Sequence, residues 1–529
     1  MACLACMSLS AQAVLGPGVL AGFAGDFSSR IAAIEALGVE GGETARRVLD
    51  ALEAGRLGVI GERVVIVGEE GVCDAASGEA LPDVPETPVE TVTVNNRVRR
   101  ALANARAAFA LGGEDAAARL AAAHTLGEAA SPAWLPLFER ALAGEKDEAV
   151  RGALVLAAAR VNLSSADPAV RRQAAQDLGV SPDAAVRNLL AGLLAKSGEG
   201  TAAAWVEPDA GVREAAAASL RAIDRRIALA ETAGTVFTGL SLGSILLLAA
   251  LGLAITYGVM GVINMAHGEL LMIGAYATFV VQGVFRQYFP EWIDAYIIAA
   301  IPVAFLAAAL TGVAMERLVL RHLYGRPLES LLATWGLSLV LIQAARVTFG
   351  PQNLELANPG WMSGGLGLAA GVVLPFNRIV IVFFAALVLL LIWLTMQKTR
   401  LGMFVRAVTQ NRAMAGCVGV PTARVDTLAF AIGAGVAGLG GAALSQIANV
   451  GPAMGQGYIV DAFMVVVLGG VGQLAGAVWA ALGLGIVSKF LEGLAGAVIA
   501  KILVLLFIII FIQKRPQGIF ALKGRFADD

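Results

Sequence analysis

Apolar residues follow two regimes along this chain. Before about residue 231 they recur at helical spacing among charged positions. Beyond it they merge into long blocks near 236–260, 266–285, 295–315, 329–349, 376–396 and 426–448. A Gly-interrupted stretch at 459–492 and a last run at 497–513 follow. Such blocks match the roughly 20 residues that a helix needs to cross hydrocarbon. The pattern predicts an all-α chain whose residues 232–525 form a polytopic transmembrane helix bundle. It has about 8 to 9 hydrophobic segments, one of them broken or re-entrant.

Residues 30–231 read as a soluble domain. Ile31, Ile34 and Leu37, then Val48 and Leu52, mark helices, and Arg63-Val64-Val65-Ile66-Val67 is a short strand candidate. A Pro-rich linker follows at Pro82, Pro85 and Pro88. From about residue 97 a D-x-x-V-R pattern recurs at Asp147–Arg151, Asp167–Arg171, Asp183–Arg187 and Asp209–Arg213. Asp suits a helix N-cap, Pro or Ala the first turn, and Val the start of a buried stripe. The pattern resembles HEAT-like helical repeats, which stack because one unit cannot bury its own apolar face. The copies are irregularly spaced and shorter than a full HEAT pair. A small α-solenoid of HEAT-like repeats, serving as scaffold or partner surface, is therefore expected ahead of the membrane domain.

Charge sharpens the division and orients it. Residues 232–529 carry 17 basic and 11 acidic side chains, against 22 and 30 in residues 1–231. No basic block suggests nucleic acid. Arg317, Arg321 and Arg326 follow the third apolar run, and Lys398, Arg400, Arg406, Arg412 and Arg424 follow the fifth. Both loops are expected to be cytoplasmic, because short cytoplasmic loops concentrate Lys and Arg. The intervening loops hold Glu291, Asp294 and Glu355. Counting back places residues 30–231 outside, while Lys514, Arg515, Lys523 and Arg525 place the C-terminus inside. That parity needs an extra crossing or re-entrant turn within 459–492, with the break at Gly469, Gly470, Gly472 and Gln473.

The first 25 residues resemble the tail of a secretory signal, with Ser10-Ala11-Gln12-Ala13 as a small-x-small cleavage pattern but no basic n-region. A start codon lying further upstream would explain the short apolar run. Four cysteines (Cys3, Cys6, Cys73, Cys417) are too few for a disulfide framework, and Cys3-Leu4-Ala5-Cys6 lacks a second ligand pair. No cofactor or metal is expected, and no nucleophile–base pair suggests an enzyme.

Chemistry concentrates between the first two apolar runs, at Gly258–Glu269. Asn264, His267 and Glu269 there, with Thr334, Ser338, Asp461, Gly469, Gly470, Gly472 and Gln473 further on, are the candidate solute-path residues. Hydrocarbon penalises such groups unless they face a bundle interior or a watery cavity. His267 either lines the path or ties two helices together; Asp461 reads as a helix cap or, less directly, a path residue. Asn264 and Glu269, five residues apart, need not share a face. The glycines suit close packing or a re-entrant turn. The loop Lys398–Val420 forms two short amphipathic pieces with Gly419 as a stop.

That loop resembles the EAA-type coupling loop of ABC importer permeases, with Gln410 where the pattern has Glu. The likeness assigns Gly402, Arg406, Ala407, Gln410, Asn411, Ala415 and Gly419 to ATPase coupling. Asn264–Glu269 with Gly274-Ala275-Tyr276, Thr334–Leu339, Asp461-Ala462-Phe463, Leu468–Gly472, Gly476-Ala477-Val478 and Arg515–Gly518 resemble, in order, the blocks of the branched-chain amino acid permease family. Over roughly 235–525 the chain is therefore similar to that family. The large extension ahead of the membrane domain resembles the family's urea-type permease subunit. The resemblance implies a second permease subunit, cytoplasmic ATP-binding subunits, an extracytoplasmic solute-binding protein, urea as solute and contact with membrane lipid in the inner membrane. No phosphate-binding G-x-x-x-x-G-K-[ST] loop occurs, so ATP must act through another polypeptide. Branched-chain amino acids (or a short amide) as solute, a passive urea channel, and a membrane-anchored scaffold are the competing readings.

Overall fold

A computed structural model of the chain describes residues 17–520 apart from 62, 69–70, 82–88, 182, 198–203, 368–370 and 516–517. Cys3, Cys6, the Ser10–Ala13 pattern, the Pro82–Pro88 linker, Pro516, Gln517, Lys523 and Arg525 lie outside the described residues. The chain folds as two compact units that divide between Ile227 and Ala228.

The first unit opens with α1 (Pro17–Ala21), α2 (Phe27–Glu40) and α3 (Gly42–Glu53). Ile34, Leu37, Val48 and Leu52 are buried as their spacing predicts. Leu20 and Phe23 are buried in the same core, so the folded unit begins inside the expected signal segment. Four strands follow: β1 (Leu57–Ile60), β2 (Arg63–Gly68), β3 (Gly71–Asp74) and β4 (Glu90–Thr91). They pair antiparallel in the order β3-β2-β1-β4. The β2 strand is where the sequence placed it. Its partners qualify the all-α expectation, because runs of two to four residues are too short to show alternation.

Six helices come next: α4 (Asn96–Ala110), α5 (Ala116–Ala129), α6 (Leu135–Gly144), α7 (Glu148–Asn162), α8 (Pro168–Leu178) and α9 (Ala184–Leu193). A two-stranded ribbon of β5 (Lys196–Ser197) and β6 (Ala204–Trp205) precedes the long α10 (Ala210–Met260). Each Asp of the repeated motif accepts main-chain N–H groups of the turn it opens. Asp147 takes Ala149 and Val150, Asp167 takes Ala169, Asp183 takes Ala185, and Asp209 takes Val212. Each such cap is worth about 1 kcal/mol. Val150, Val186 and Val212 are buried as the motif predicts, whereas Val170 is only half-buried.

The motif's Arg has a role that spacing does not reveal. Arg171 reaches back to the carbonyls of Ser165 and Ala166, and Arg213 to those of Glu207 and Pro208. Arg171 also grips Glu207 through both carboxylate oxygens, at 2.9 and 2.7 Å. Arg119, at the start of α5, does the same to Gly113, Glu114 and Glu145. Glu145 in turn accepts the Lys146 and Asp147 amides, and Glu207 the Asp209 amide. One guanidinium thus fastens a helix start to the loop that launches a later helix, using the planar fork that matches a carboxylate.

The second unit continues α10 to Met260 and adds α11 (His267–Tyr288), α12 (Tyr296–Leu318) and α13 (Pro327–Phe349). A ribbon of β7 (Gly365–Gly367) and β8 (Val373–Pro375) precedes α14 (Phe376–Lys398). Then come α15 (Arg400–Gln410), α16 (Arg412–Cys417), α17 (Thr422–Leu444), α18 (Met454–Gly469), α19 (Leu474–Ala495) and α20 (Ala497–Lys514). Among the described residues, 8 helices are long and apolar enough to cross a membrane. The stretch read as broken or re-entrant is resolved as α18 and α19, turned at Gly470–Gln473. The 16 residues of α18 rise about 24 Å, so this helix falls just short of a full span. Gly470 and Gly472 have φ of +98° and +76°, which an L side chain rarely adopts.

Helix α17 lies at the centre, against α11 and α12. A Cβ on Gly274 would collide with the Gly438 backbone, and one on Gly441 with the Leu271 carbonyl. Small residues let membrane helices meet at backbone distance, where dispersion replaces the hydrophobic drive that lipid removes. In contrast, Phe383 and Leu391 on α14 and Ile502 and Leu506 on α20 point outward, as lipid contact requires.

The Arg119 guanidinium, with the Asp147 and Lys146 amides, holds the Glu145 carboxyl down to about 2 from its ordinary 4.5. A depressed carboxyl stabilises the fold above its unfolded pKa, and that contribution fades as pH falls from 4.5 toward about 2. Hydrogen exchange of the full chain in detergent should therefore show α5 and α7 opening on acidification through this window. Glu145→Gln should flatten that dependence; an unchanged profile in the variant would contradict the assignment.

Candidate functional site

The turn from α10 into α11 is built by polar side chains. Asn264 Oδ1 accepts the Ala266 amide at 3.0 Å, and the Met265 amide donates to Thr334 Oγ1 at 3.1 Å. Ser338 Oγ donates to Glu269 Oε1 at 2.7 Å. Ser330, Thr334 and Ser338 are spaced by four, so they form one stripe on α13, and all three are buried. The polar edge of α13 thus fastens onto the first turn of α11. Asn264, Glu269, Thr334 and Ser338 are brought together in this seam, although Asn264 and Glu269 do not touch each other.

His267 opens α11, and its Nε2 lies 2.9 Å from the Ala249 carbonyl of α10. A carbonyl only accepts, so Nε2 carries the proton and Nδ1 keeps a lone pair. His267 is therefore a tie between helices, one of the two roles its sequence position allowed. Among the described residues, Nδ1 of His267, Oε2 of Glu269 and Nδ2 of Asn264 are buried without a partner. Leaving a buried polar group unpaired costs about 1–3 kcal/mol.

Asp461 is elsewhere. Helix α18 begins at Met454, so Asp461 sits well inside it rather than at its cap, correcting the reading from sequence. It pairs instead with Lys501 of α20 at 3.4 Å. Gly469 packs backbone to backbone on Gly476, Gly472 faces Gly258, and the Gln473 amide donates to the Gly470 carbonyl. These residues shape the α18–α19 turn; none joins the Glu269 seam.

The connection between α14 and α17 folds as the two helices its pattern predicts. Gly402 abuts the Met396 carbonyl so closely that a Cβ has no room. Arg406 donates to the same carbonyl at 2.9 Å and to Gln397 at 3.2 Å. Val405, Val408 and Ala415 are buried, with Ala407 half-buried beside them. Asn411 caps α16 by accepting the Met414 amide, and Gly419 turns the chain at φ +87°. Met403, Gln410, Met414 and Val418 are exposed.

Sequence reasoning missed what holds α16. Arg412 makes a two-pronged ion pair with Asp426 in the first turn of α17, and its guanidinium stacks 4.3 Å from the Tyr324 ring. Burial, reinforced by the Asp426 charge, raises the Tyr324 hydroxyl above the ordinary phenol range. Beside it, Thr427 donates to Glu316 Oε2 at 2.8 Å, and Arg321 lies 3.5 Å from Glu316 Oε1. The available signal was an acidic residue at the mouth of an apolar run, twice over: Glu316 closing one and Asp426 opening another.

A family model described as branched-chain amino acid transport system / permease component matches residues 235–513. The high-affinity branched-chain amino acid transport system permease protein BraD of Pseudomonas aeruginosa is 30% identical over 287 residues, 53% of this chain and 93% of its own. The corresponding protein LivH of Escherichia coli K12 is 30% identical over 290 residues, 54% of this chain and 94% of its own. The ribose import permease protein RbsC of the same organism is 28% identical over 202 residues, 37% of this chain and 60% of its own. No solved structure matches.

Asp426 is only 1% exposed, so removing Arg412 strands a buried carboxylate. Arg412→Ala should lower the thermal midpoint of the detergent-solubilised chain more than Arg412→Ala does on an Asp426→Asn background. A double-mutant cycle should return a coupling of about 1 kcal/mol or more. Additive effects would show that the pair contributes nothing beyond its separate members.

Proposed function

The chain belongs to the family of branched-chain amino acid transport system permease components, and on that premise we propose that it is the membrane-spanning subunit of an ATP-driven importer of urea. Its ATPases are separate subunits that dock on α15 and α16, a second permease chain completes the path, and an extracytoplasmic binding protein delivers the solute. The observation that carries the reading is the α15–α16 connection. It is anchored to α14 through Gly402 and Arg406 and to α17 through Arg412, yet it presents Met403, Gln410, Met414 and Val418 to its surroundings. Apolar side chains on a polar loop suit a partner surface.

Orientation follows from the Arg-rich loops. With α15 and α16 inside, a short crossing by α18 followed by α19 and α20 brings the C-terminus inside and leaves the first unit outside. Movement of α16 by the ATPases is passed through Arg412 to the start of α17 and to Tyr324, which joins α12 to α13. Because α17 packs along α11 and α12, the same displacement reaches the Glu269–Ser338 seam, which opens to alternate sides.

Urea is small, neutral, and both donor and acceptor, so it suits hydrogen-bonding groups without a net fixed charge. Asn264, Thr334 and Ser338 are of that kind, and Glu269 adds one ionisable group beside them. The first unit favours urea through its resemblance to the extension of the urea-type subunit, since the branched-chain relatives are spanned for 93% and 94% of their length while matching 53% and 54% of this chain. We assign that unit to a small solenoid of HEAT-like repeats in the urea-type subunit. The relatives' names favour a second reading, in which the solute is a branched-chain amino acid.

Uptake of labelled urea by cells with and without the chain decides between them. Deletion should abolish uptake, and Met414→Asp, which leaves the Arg412 clasp in place, should lower it about tenfold or more at normal expression. Excess leucine should have no effect. Lost leucine uptake with urea unaffected would move the solute to amino acids; urea uptake surviving ATP depletion would favour a channel.

A further inference from the structure

Asp461 lies in the middle of α18, seven residues after its first residue Met454, or about 10 Å along the axis. Its side chain is too short to lift the carboxylate to the helix end. Lys501, near the start of α20, turns toward it at 3.4 Å and donates to the Gly457 carbonyl at 3.2 Å. The pair is open to its surroundings: the side chains are 22% and 48% exposed. Hydrocarbon around a half-open ion pair would strip the solvation of both charges, so the surroundings must be polar.

Gly457, whose carbonyl Lys501 holds, is exposed one turn before Asp461 on the same face of α18. A charged pair is unlike the centre of a protein–protein contact, where charge is depleted. Both members of the pair also keep unused capacity. Lys501 Nζ has three protons for two long bonds, and Asp461 Oδ1 takes part in neither.

We propose that the Asp461–Lys501 pair lines the aqueous solute path and acts as its specificity site. It takes a solute that carries both a hydrogen-bond acceptor and N–H donors. The Lys501 ammonium donates to the acceptor and the Asp461 carboxylate accepts from the N–H, while the pair stays neutral as a whole. This rests on the permease reading but not on the solute being urea, since urea and an amino acid share that chemistry.

The test uses the full chain in its assembled transporter. Gly457→Cys, at a position with room for a side chain beside the pair, should react with a membrane-impermeant cationic thiol reagent, above the background of the native cysteines. Ile502→Cys, on the apolar side of α20, should not. Saturating urea, or leucine if that is the solute, should slow the reaction several-fold. Asp461→Asn should raise KM for uptake about tenfold with a smaller change in Vmax. An unreactive Gly457→Cys, or reaction that neither solute slows, would overturn the proposal. So would the charge swap of Asp461→Lys with Lys501→Asp restoring native KM, since a purely structural pair predicts that result. Should the native chain transport neither solute, the permease reading fails instead, and the labelling still reports whether the pair faces water.

Discussion

Backbone contact between α17 and its neighbours is the constraint on which the membrane unit depends. Gly438 meets Gly274 of α11, and Gly441 meets the Leu271 carbonyl, at separations that exclude any side chain. In lipid no hydrophobic gain draws helices together, so close packing has to supply the attraction. A larger residue at either glycine would part α17 from α11 and carry the polar turn at Asn264–Glu269 with it. The position of the Glu269–Ser338 seam is therefore set by residues without chemistry of their own.

The polar groups of the unit divide by what they hold. His267, Thr334 and Ser338 fix the end of α11 against α10 and α13. Arg412, Asp426 and Tyr324 fix α16 against α17 and the α12–α13 connection. Asp461 and Lys501 join α18 to α20 while remaining open to their surroundings. Each pairing crosses between elements, 14 residues apart for Arg412 and Asp426 and 69 for Ser338 and Glu269, because a polar group at membrane depth must find its partner within the protein.

In the first unit the same economy appears with charges. Arg119 with Glu145, and Arg171 with Glu207, repeat one device in two places. The carboxylate is held by a guanidinium on one side and by the amides of the next helix start on the other. Arg171 holds Glu207 below the ordinary carboxyl range as Arg119 does Glu145. Side chains that are separately solvent-compatible thereby tie each helix start to the start of the next helix but one.

What the sequence determined by itself is whatever local physics decides. Apolar length gave the spans, Asp at position one of each motif gave the caps, and the small residues and Gly419 gave the two-helix connection at 400–417. A glycine cluster located the turn between α18 and α19, while leaving open whether its arms cross or re-enter. The tertiary structure decided every pairing: the partner of His267, the grip of Arg412 on Asp426, the reach of Arg171 and Arg213 to their own loops, and the Asp461–Lys501 contact that replaces a supposed cap. Periodicity reports which face of a helix avoids water, but the partner of a buried polar atom depends on packing between segments tens of residues apart.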